Sequence, residues 1–442
     1  MAVSARRIAL KIKNAIDSKS GYSNLELRSQ LAKTDLSSRD KALVTELVSG
    51  TLRRQGTIDW IITVFSNTPF DKLDLIIKNI LRLAIYQIWF IDNIPDYAAI
   101  NEAVEMVKTF SPNRAPFING LLRAALRNKS SLPWPDRDEK PAEYISIKYS
   151  HPLWLVKRML LDMGIEETEK VCRADNLRPQ LTLRTNLLRI DRVSLIKKLK
   201  IKNIDARPGP YTQESIVIVG GSIADYGFDS GDFYLQNEAS ILAGTSLNAK
   251  AGEAIIELCA GPGGKTTHIG QLMRNQGEIF AVEINEKRLR LVMDNCERLG
   301  VKIVKPVLGD ATRILDLPQA DRILIDAPCS GLGVLSRRPD LRWQRREQDI
   351  GTLALIQDKL LNQAVSYIKN NGLIIYSVCT NTREETSDVI DKFIKSHRNF
   401  KIEKLSEISK KLGLSEKNQF IQTQTYIQGL DGMFVAALRK LS

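Results

Sequence analysis

The feature that most constrains the fold of this chain is an alternation of apolar strands and helical patterns that begins near Ile255. The apolar runs are separated by helical segments, among them the long GTLALIQDKLLNQAVSYIKNNG. Strands that are apolar on both faces belong inside a parallel sheet that helices cover on both sides. We therefore predict a doubly wound α/β sheet, whose ligands bind at the carboxyl ends of its strands.

Four clusters fall at the predicted carboxyl ends of these strands. They are ELCAGPGGKTTH, Glu283, Asp310 in LGDA, and DAPCSG from Asp326 to Gly331. Glycines between a strand and a helix let the backbone approach an anionic group, although such a turn is often only a tight turn. Glu283 is placed to hydrogen-bond a ribose, or it belongs to a helix start in which Asn285 is the cap. Asp310 either contacts an adenine or caps the next segment.

The glycine-rich turn does not match the common phosphate-binding patterns. A P-loop requires a glycine five positions before Gly264, and Cys259 occupies that position. The GxGxxG spacing of dinucleotide-binding proteins is absent too. An alternative reading of Asp326 is the magnesium-holding aspartate of a nucleoside triphosphatase. The Ala-Pro-Cys that follows it favours instead a stiff turn that displays Cys329.

Two of the five cysteines stand at neighbouring strand ends, Cys329 in DAPCSG and Cys379 in LIIYSVCTNTREE. A single buried cysteine is usually an inert small apolar side chain, but two on the ligand-binding edge favour thiol chemistry. The cysteines are odd in number, form no CxxC, and are accompanied by only three histidines. We therefore expect no metal site, no disulfide framework and a reducing, cytoplasmic location.

The residues before the α/β region divide into two parts. The first third is helical, with a serine cap expected at Ser37 or Ser38, and ends in the proline-rich SLPWPDRDEKP. The next part mixes a helical start with short strands such as LTLRT, SIVIVGG and DFYLQ. We predict an all-α domain at 1–138, a small mixed domain at 139–233 and the α/β domain at 234–442.

The charge balance favours a polyanionic partner. The formal net charge is +13 and the pI is about 9.4, which is typical of nucleic-acid-binding proteins, although a merely basic enzyme is the alternative. The amino terminus scatters Arg and Lys through its apolar positions, so we expect no signal peptide. The most apolar segment is interrupted by Lys78, Asn79 and Arg82, so we expect no membrane span.

Two groups of arginines are candidate phosphate contacts, with a solvated charged face as the alternative for each. Trp343 is a candidate for stacking on a base. The groups are Arg6, Arg7, Arg53 and Arg54 near the amino terminus, and Arg337, Arg338, Arg342, Arg345 and Arg346 after Cys329.

The motifs CAGPGGKT, DAPCSGLGVLSRRPDLRW and SVCTNTREE resemble signatures of RNA 5-methylcytosine methyltransferases that use S-adenosyl-L-methionine. YLQNEAS and GLDGMFVAALRK resemble flanking elements, and RDKALVTELVSGTLRRQGTIDWII with FINGLLRAAL resembles a NusB-like RNA-binding domain. The combination of a NusB-like segment with these methyltransferase motifs covers nearly the whole chain. In this combination the chain resembles the bacterial RsmB (Sun/Fmu) family, which methylates a cytosine of 16S ribosomal RNA. This resemblance implies a Rossmann-like methyltransferase domain preceded by an all-α NusB-like domain and a small mixed α+β linker domain.

The resemblance also implies roles for the strand-end residues. Cys379 matches the nucleophile, Cys329 matches a second cysteine associated with product release, and Asp326 faces both cofactor and target base. Glu283 is implied to hold the ribose, and Asp310 to lie by the adenine. The implied cofactor loop comprises Cys259, Ala260, Gly261, Pro262, Gly263, Gly264 and Lys265. The chain departs from the family pattern at Glu257, Gly261 and Asn237, which concerns only fine details of cofactor affinity.

The chemistry of cytosine explains the need for a thiol. Carbon 5 is a poor nucleophile, and a thiolate that adds to carbon 6 makes it electron-rich. A free cysteine titrates at about 8.5, so Cys379 needs help to ionise. We expect a helix to begin near Thr382, with Thr382 and Glu385 as a capping box, and to direct its positive end towards the thiol. His268 is expected to be structural.

Several alternatives stay open at this point. A non-catalytic NusB-like RNA-binding factor would need no Cys379, and a 5-methylcytosine methyltransferase could act on another RNA such as tRNA. The target nucleotide is not determined by these motifs, nor is the choice between naked RNA and a partly assembled subunit. We expect a monomer.

Overall fold

A computed structural model describes residues 4–19, 23–223, 226–415 and 418–442. The chain forms two compact units, Met1–Leu177 with Leu335–Arg345, and Arg178–Val334 with Arg346–Ser442. The short segment Leu335–Arg345 therefore belongs to the first unit, although the residues on both sides of it belong to the second. The predicted division into domains at 1–138, 139–233 and 234–442 stays a prediction.

The helices of the described residues follow the apolar periodicity of the sequence. They are α1 (Ala5–Lys19), α2 (Ser23–Leu31), α3 (Ser38–Arg53), α4 (Gln55–Phe65), α5 (Leu75–Phe90), α6 (Asp96–Lys108), α7 (Ala115–Arg127), α8 (Pro141–Tyr149), α9 (Leu153–Ala174), α10 (Arg192–Ile201), α11 (Glu238–Ser246), α12 (Gly264–Leu272), α13 (Glu286–Leu299), α14 (Leu341–Gln344), α15 (Glu347–Val365), α16 (Ser387–Ser396), α17 (Ser406–Lys411) and α18 (Thr425–Gln428).

The strands of the described residues all lie in the second unit. They are β1 (Leu181–Thr185), β2 (Asp205–Pro208), β3 (Ser215–Gly220), β4 (Phe233–Leu235), β5 (Ala254–Leu258), β6 (Glu278–Glu283), β7 (Val304–Leu308), β8 (Ala320–Asp326), β9 (Ile368–Val378), β10 (Phe400–Glu403), β11 (Ile421–Gln422) and β12 (Phe434–Lys440).

The first unit is a helical bundle built around α5, most of which is buried. Ser37 caps α3, because its hydroxyl accepts a hydrogen bond from the N–H of Asp40, as the sequence predicts. Inside the bundle the guanidinium of Arg82 binds both carboxylate oxygens of Asp59 at 2.6 and 2.7 Å, which compensates for the burial of its charge. Within the part of the chain that the structure describes, no helix is long and apolar enough to cross a membrane.

The second unit contains two sheets. The smaller one is antiparallel, with the order β2-β3-β1-β4. The larger one has the order β10-β12-β9-β8-β5-β6-β7, with β11 beside β12. Strands β5 to β9 run parallel, and β12 is antiparallel to β9 and β10. The predicted Rossmann-like fold with a preceding helical region and a small mixed region is therefore confirmed.

The strand order of the large sheet indicates where a ligand would bind. From β5 the chain moves outward through β6 and β7, and it then crosses to the other side of β5 to form β8 and β9. In open α/β sheets the crevice for ligands lies where the order reverses, outside the carboxyl ends of the strands. These ends carry the glycine-rich turn after β5, Glu283 as the last residue of β6, and the two cysteine motifs after β8 and β9.

One predicted helix is too long. The segment GTLALIQDKLLNQAVSYIKNNG was expected to be helical throughout, but α15 ends at Val365 and β9 already begins at Ile368. Ile368 is paired with Ala320 of β8, and Asn371 takes a positive φ of 59° that a helix does not tolerate. Pairing with a neighbouring strand thus overrides the helical pattern of the last residues.

Candidate active site

A cavity of about 320 Å³ lies at the carboxyl edge of the large sheet. Cys259, Glu283 and Asp310 line it together with apolar side chains, among them Ile284 and Ile356. A volume of this size and an apolar wall with a few polar groups are typical of small-molecule sites. The structure thus brings together three residues that the sequence places at separate strand ends.

Glu283 is buried in the wall of this cavity, and its carboxylate supports the glycine-rich turn. One oxygen accepts a hydrogen bond from the N–H of Gly261 and the other from the N–H of Asn285, both at 3.0 Å. A Cβ on Gly261 would lie 2.6 Å from the Glu283 carboxylate and 2.8 Å from Cβ of Arg288, so a larger residue here would displace these side chains. Asn285 caps α13 through the N–H of Arg288 at 3.1 Å, so the cap and the cavity carboxylate are different residues.

Asp310 combines the two interpretations that the sequence leaves open. Its side chain lines the cavity, and one carboxylate oxygen also accepts hydrogen bonds from the N–H and the hydroxyl of Thr312, at 3.0 and 2.7 Å. These bonds lower the pKa of Asp310 below its ordinary value. It therefore caps the turn after β7 and presents a carboxylate to the cavity.

Lys265, at the start of α12, meets Asp326, at the end of β8. Its Nζ lies 2.7 Å from Oδ2 of Asp326, while Oδ1 of Asp326 accepts a hydrogen bond from the hydroxyl of Ser377 at 3.0 Å. Burial by itself would lower the pKa of Lys265, but the carboxylate of Asp326 outweighs it and raises the pKa. The side chain stays protonated and fixes the orientation of Asp326.

The two cysteines of the strand-end motifs are in contact. Asp326 and Ser377 are partners in the parallel pairing of β8 and β9, so the loops that follow leave the sheet side by side. The Sγ atoms of Cys329 and Cys379 lie 3.1 Å apart, and both side chains are half-buried. The hydrogen bond between the two thiols lowers the pKa of Cys379 and raises the pKa of Cys329. Burial and the Asp326 carboxylate oppose the lowering at Cys379, and Lys265 supports it.

The pKa values of the three cysteines outside this pair are raised. Burial raises the pKa of Cys259 and of Cys296 to about 12, and it raises the pKa of Cys172 still further. All five cysteines of the chain lie in described residues, and Cys379 alone has a lowered pKa. The thiol that the motifs single out is therefore the one that its surroundings favour as a thiolate. Among the described residues, no three His, Cys, Asp or Glu side chains are grouped closely enough to hold a metal ion.

The predicted capping box at Thr382 and Glu385 is wrong. Residues Arg383–Glu385 form a single 3₁₀ turn, and α16 begins only at Ser387. Glu385 is fully buried, and its carboxylate accepts hydrogen bonds from the N–H of Ser330, the amide of Gln357 and the hydroxyl of Thr382. No α-helix therefore begins next to Cys379, and Cys329 and Lys265 are the groups that lower its pKa.

Two further titratable residues of the second unit, Glu257 and His268, are buried. Glu257, at the end of β5, is buried, and burial raises its pKa to about 8. His268 is buried against Glu214, with Nε2 2.7 Å from Oε1, which agrees with a structural role. Nothing in the composition or spacing of the sequence marks Glu257 as a residue that is neutral at pH 7.

Several arginines predicted to bind phosphate have structural roles in the first unit. Arg342 is buried and donates to the carbonyls of Arg53, Ser150 and Asp175 and to the side chain of Asn176. The indole N–H of Trp343 donates to the carbonyl of Leu52 at 2.8 Å, which fixes the orientation of this half-buried ring, and its stacking on a base stays a prediction.

The arginines near the amino terminus are also mostly engaged within the first unit. Arg53 is buried, Arg54 packs over the ring of Phe90, and Arg6 donates to Gln87. Arg7 is exposed. Among the nine predicted phosphate contacts, Arg53 and Arg342 are buried, so the prediction is wrong for these two. Arg7 and Arg346 are exposed and the others are half-buried, so for them it stays a prediction.

Comparisons with known proteins agree with this architecture. Three family models match: 16S rRNA methyltransferase RsmB/F over residues 244–439, the NusB family over 3–127, and the Methyltr_RsmF/B-like ferredoxin-like domain over 151–223. The probable ribosomal RNA small subunit methyltransferase B of Bacillus subtilis (strain 168) is 34% identical, over 99% of each chain.

Two further relatives cover most of the chain. The ribosomal RNA small subunit methyltransferase B of Escherichia coli O6:K15:H31 is 34% identical over 81% of this chain and 83% of its own. The solved structure of NSun6 from Pyrococcus horikoshii with SFG is 26% identical, with a TM-score of 0.58 over 65% of this chain and 97% of that one. Fold and site thus define a Rossmann-like methyltransferase with a helical NusB region. The chain belongs to the RsmB/F family of 16S rRNA methyltransferases.

Proposed function

We propose that this protein methylates carbon 5 of a cytosine in 16S ribosomal RNA with S-adenosylmethionine, through a transient bond between Sγ of Cys379 and carbon 6 of the base. The observation that carries the proposal is the 3.1 Å contact between Cys329 and Cys379, beside the ion pair of Lys265 and Asp326. Free thiols at both positions require a reducing compartment, so we place the reaction in the cytoplasm.

The cavity at the carboxyl edge fits S-adenosylmethionine. A carboxylate has about four acceptor positions, so Glu283 retains capacity for ribose hydroxyls beside its two backbone bonds, and Asp310 faces the same space. The loop of Cys259, Ala260, Gly261, Pro262, Gly263, Gly264 and Lys265 would hold the rest of the molecule. When bound, the cofactor supplies an electrophilic methyl group on a positively charged sulfur.

Cys379 is suited to the first step because its thiolate is stabilised where it stands. The Cys329 thiol donates a hydrogen bond to it, and the ammonium of Lys265 lowers its pKa further. Addition of the thiolate to carbon 6 places electron density on carbon 5, which divides one difficult step into two easier ones. Carbon 5 then becomes able to accept a methyl group.

Asp326 is suited to stabilise the charge that develops on the base. Lys265 and Ser377 each bind one oxygen of its carboxylate, so the group is held before the base arrives. A fixed group that shares a proton with the ring nitrogen supplies electrostatic stabilisation without reorganisation. After methylation the proton on carbon 5 must leave so that the bond to Cys379 can break, and we assign this release stage to Cys329.

The target base must leave its stack to reach the cysteines. Unstacking takes a few kcal/mol and is easiest in a looped or single-stranded RNA. The match of residues 3–127 to the NusB family supports a role of the helical region in holding that RNA. The proposal therefore includes RNA binding by the first unit and chemistry in the second.

Bisulfite mapping of ribosomal RNA tests the proposed substrate. We expect one cytosine of 16S RNA to lose its methyl group in cells that lack the gene, and to regain it with the wild-type gene but not with Cys379→Ala. Loss of a methyl group from a tRNA instead would assign a different RNA. An unchanged map in all RNAs would leave a non-catalytic RNA-binding factor and would refute the proposal.

A further inference from the structure

We propose that Glu385 and Gln357 are positioning residues, which clamp the backbone on both sides of Cys329 and hold its thiol against Cys379. The inference rests on the proposed function only where it assigns product release to Cys329. The clamp itself is a statement about contacts in the second unit, and it can be tested without RNA or cofactor.

The clamp consists of hydrogen bonds to the two residues that flank Cys329. Oε1 of Glu385 accepts from the N–H of Ser330 at 2.8 Å and from Nε2 of Gln357 at 3.1 Å. Nε2 of Gln357 also donates to the carbonyl of Pro328 at 3.0 Å. Glu385 and Gln357 thus hold the peptide groups before and after Cys329 from one side.

Glu385 is at the same time part of the loop that carries Cys379. Its Oε2 accepts from the hydroxyl of Thr382 at 2.8 Å, and its carbonyl accepts from the hydroxyl of Tyr376 at 2.7 Å. Ser330 donates in turn to the hydroxyl of Thr380 at 3.0 Å. One fully buried carboxylate therefore links the two cysteine loops, which are about fifty residues apart in sequence.

The loops are joined on a second side by backbone contacts. The N–H of Gly333 donates to the carbonyl of Cys379 at 3.0 Å, and the N–H of Gly432 donates to the carbonyl of Gly333 at 2.7 Å. A Cβ on Gly333 would lie 2.0 Å from the carbonyl oxygen of Gly432, so this approach is possible only between glycines. These contacts limit how far the loops separate, and the side-chain clamp determines where Cys329 lies within that limit.

Removal of the Glu385 carboxylate should release Cys329. The N–H of Ser330 would be buried without its partner, which is unfavourable enough for the loop to shift towards another acceptor. Glu385→Gln is the conservative variant, because its amide oxygen still accepts from Ser330 and its amide nitrogen can donate to the hydroxyl of Thr382. The two variants therefore separate loss of the clamp from loss of the negative charge.

The pH dependence of Cys379 alkylation reports whether the Cys329 thiol is still in contact with it. The Cys329 thiol is the main group that stabilises the Cys379 thiolate. The rate of alkylation of Cys379 by iodoacetamide as a function of pH, followed by peptide mass spectrometry, gives the midpoint for its ionisation. Each unit of upward shift lowers the thiolate fraction below the midpoint about tenfold.

We expect Glu385→Ala to shift this midpoint upward towards that of Cys329→Ala, and Glu385→Gln to remain close to the wild type. Asp391→Ala, which removes an exposed carboxylate from the nearby helix α16, is the matched control and should not change the profile. Should Glu385→Ala fail to fold, Gln357→Leu removes the bond to Pro328 and is expected to give a smaller upward shift. Profiles of the folded clamp variants that superimpose on the wild type, or a Cys329→Ala profile without a shift, would overturn the clamp.

A second readout follows the reaction. With RNA and S-adenosylmethionine, we expect Glu385→Ala to complete its first methyl transfer and then to accumulate a covalent enzyme–RNA adduct, as Cys329→Ala does, whereas Glu385→Gln turns over. Absence of methylation by the wild type would refute the proposed function and leave the alkylation result valid. A shifted alkylation profile with normal release would overturn the assignment of release to the clamped Cys329.

Discussion

Cys379 differs from the other cysteines through two neighbours rather than through exposure. Cys259 is also half-buried, yet burial raises its pKa to about 12, whereas Cys379 receives a hydrogen bond from Cys329 and the field of Lys265. A thiolate rather than a thiol is the nucleophile, so these neighbours decide which cysteine reacts. The two cysteines consequently have pKa values shifted in opposite directions although they touch.

The first prediction separates those roles by single substitutions. We expect Cys379→Ala to reduce methyl transfer to background, because no thiolate can add to carbon 6. Cys329→Ala should still form the bond to the base but release it slowly, so that a complex of protein and RNA survives in a denaturing gel. Cys296→Ala, a buried cysteine outside the site, is the control. Methylation by the Cys379 variant would contradict the assignment.

The second prediction concerns Glu257, whose buried carboxyl is neutral at pH 7. Burial raises its pKa to about 8 in the folded protein. The pKa of Glu257 in the folded protein lies above its pKa in the unfolded chain. The free energy of unfolding is therefore undiminished below the unfolded pKa, and it falls as the pH rises towards 8, because the buried carboxyl resists ionisation. Each unit of separation between the two values corresponds to about 1.4 kcal/mol.

Glu257→Gln cannot ionise, so it should lose less stability than the wild type between pH 5.5 and pH 8.5. Melting temperatures at the two pH values measure this difference, and contributions of other groups cancel between the variants. Glu286→Gln, at an exposed position on α13, is the matched control. Equal pH dependence of the wild type and Glu257→Gln would show that the carboxyl titrates normally.

At the scale of elements, the strands and the edge at which they end are the part of this fold that the sequence predicts best. The apolar runs AIIELCA and GEIFAVE contain β5 and β6, and LTLRT coincides with β1, because continuous apolar or β-branched residues have few other stable arrangements. Since parallel strands end on one edge, the proximity of Glu283 and Asp310 followed from topology alone. The ion pair of Lys265 with Asp326 did not, because it depends on side-chain geometry between distant segments.

The errors have a common physical origin. Thr382 and Glu385 have the spacing of a capping box, but Glu385 instead accepts hydrogen bonds from Ser330 and Gln357, which no local pattern reveals. Arg342 lies in a charged segment typical of a solvated face, yet it is buried among backbone carbonyls. In both cases a tertiary hydrogen bond overrides a local preference.

The third prediction tests the element that contains Arg342. The short helix α14 is anchored in the first unit by four hydrogen bonds from this guanidinium, between 2.7 and 3.1 Å. Lysine keeps the charge but cannot reach several acceptors in different directions, and buried carbonyls left unpaired lose about 1–3 kcal/mol. We expect Arg342→Lys to lower the melting temperature by several degrees. Arg346→Lys, at an exposed position, should have no effect, and equal melting temperatures would contradict the anchoring role.

At the scale of the whole molecule, some of the arginines predicted to bind phosphate are instead held by neighbours in the protein. Arg53 and Arg342 are buried, and Arg6 and Arg54 are engaged with neighbours in the first unit. The same unit exposes Arg7, which is one of the predicted contacts, and further basic side chains, among them Lys11, Arg114, Arg123 and Arg127. Arg123 and Arg127 are four residues apart on α7 and therefore lie on one face of it.

The last prediction uses this face to locate the RNA footprint. Binding to phosphates releases counterions, so the affinity of the protein for a 16S RNA fragment should fall steeply with salt, by about 0.7 to 0.9 in logarithmic slope for each contacted phosphate. We expect Arg123→Glu with Arg127→Glu to weaken binding and to make this slope shallower, as measured by filter binding between 50 and 200 mM KCl. Lys410→Glu with Lys411→Glu changes the net charge equally at exposed positions of the second unit and is the control. Equal losses from both pairs would mean that net charge, rather than the helical face, holds the RNA.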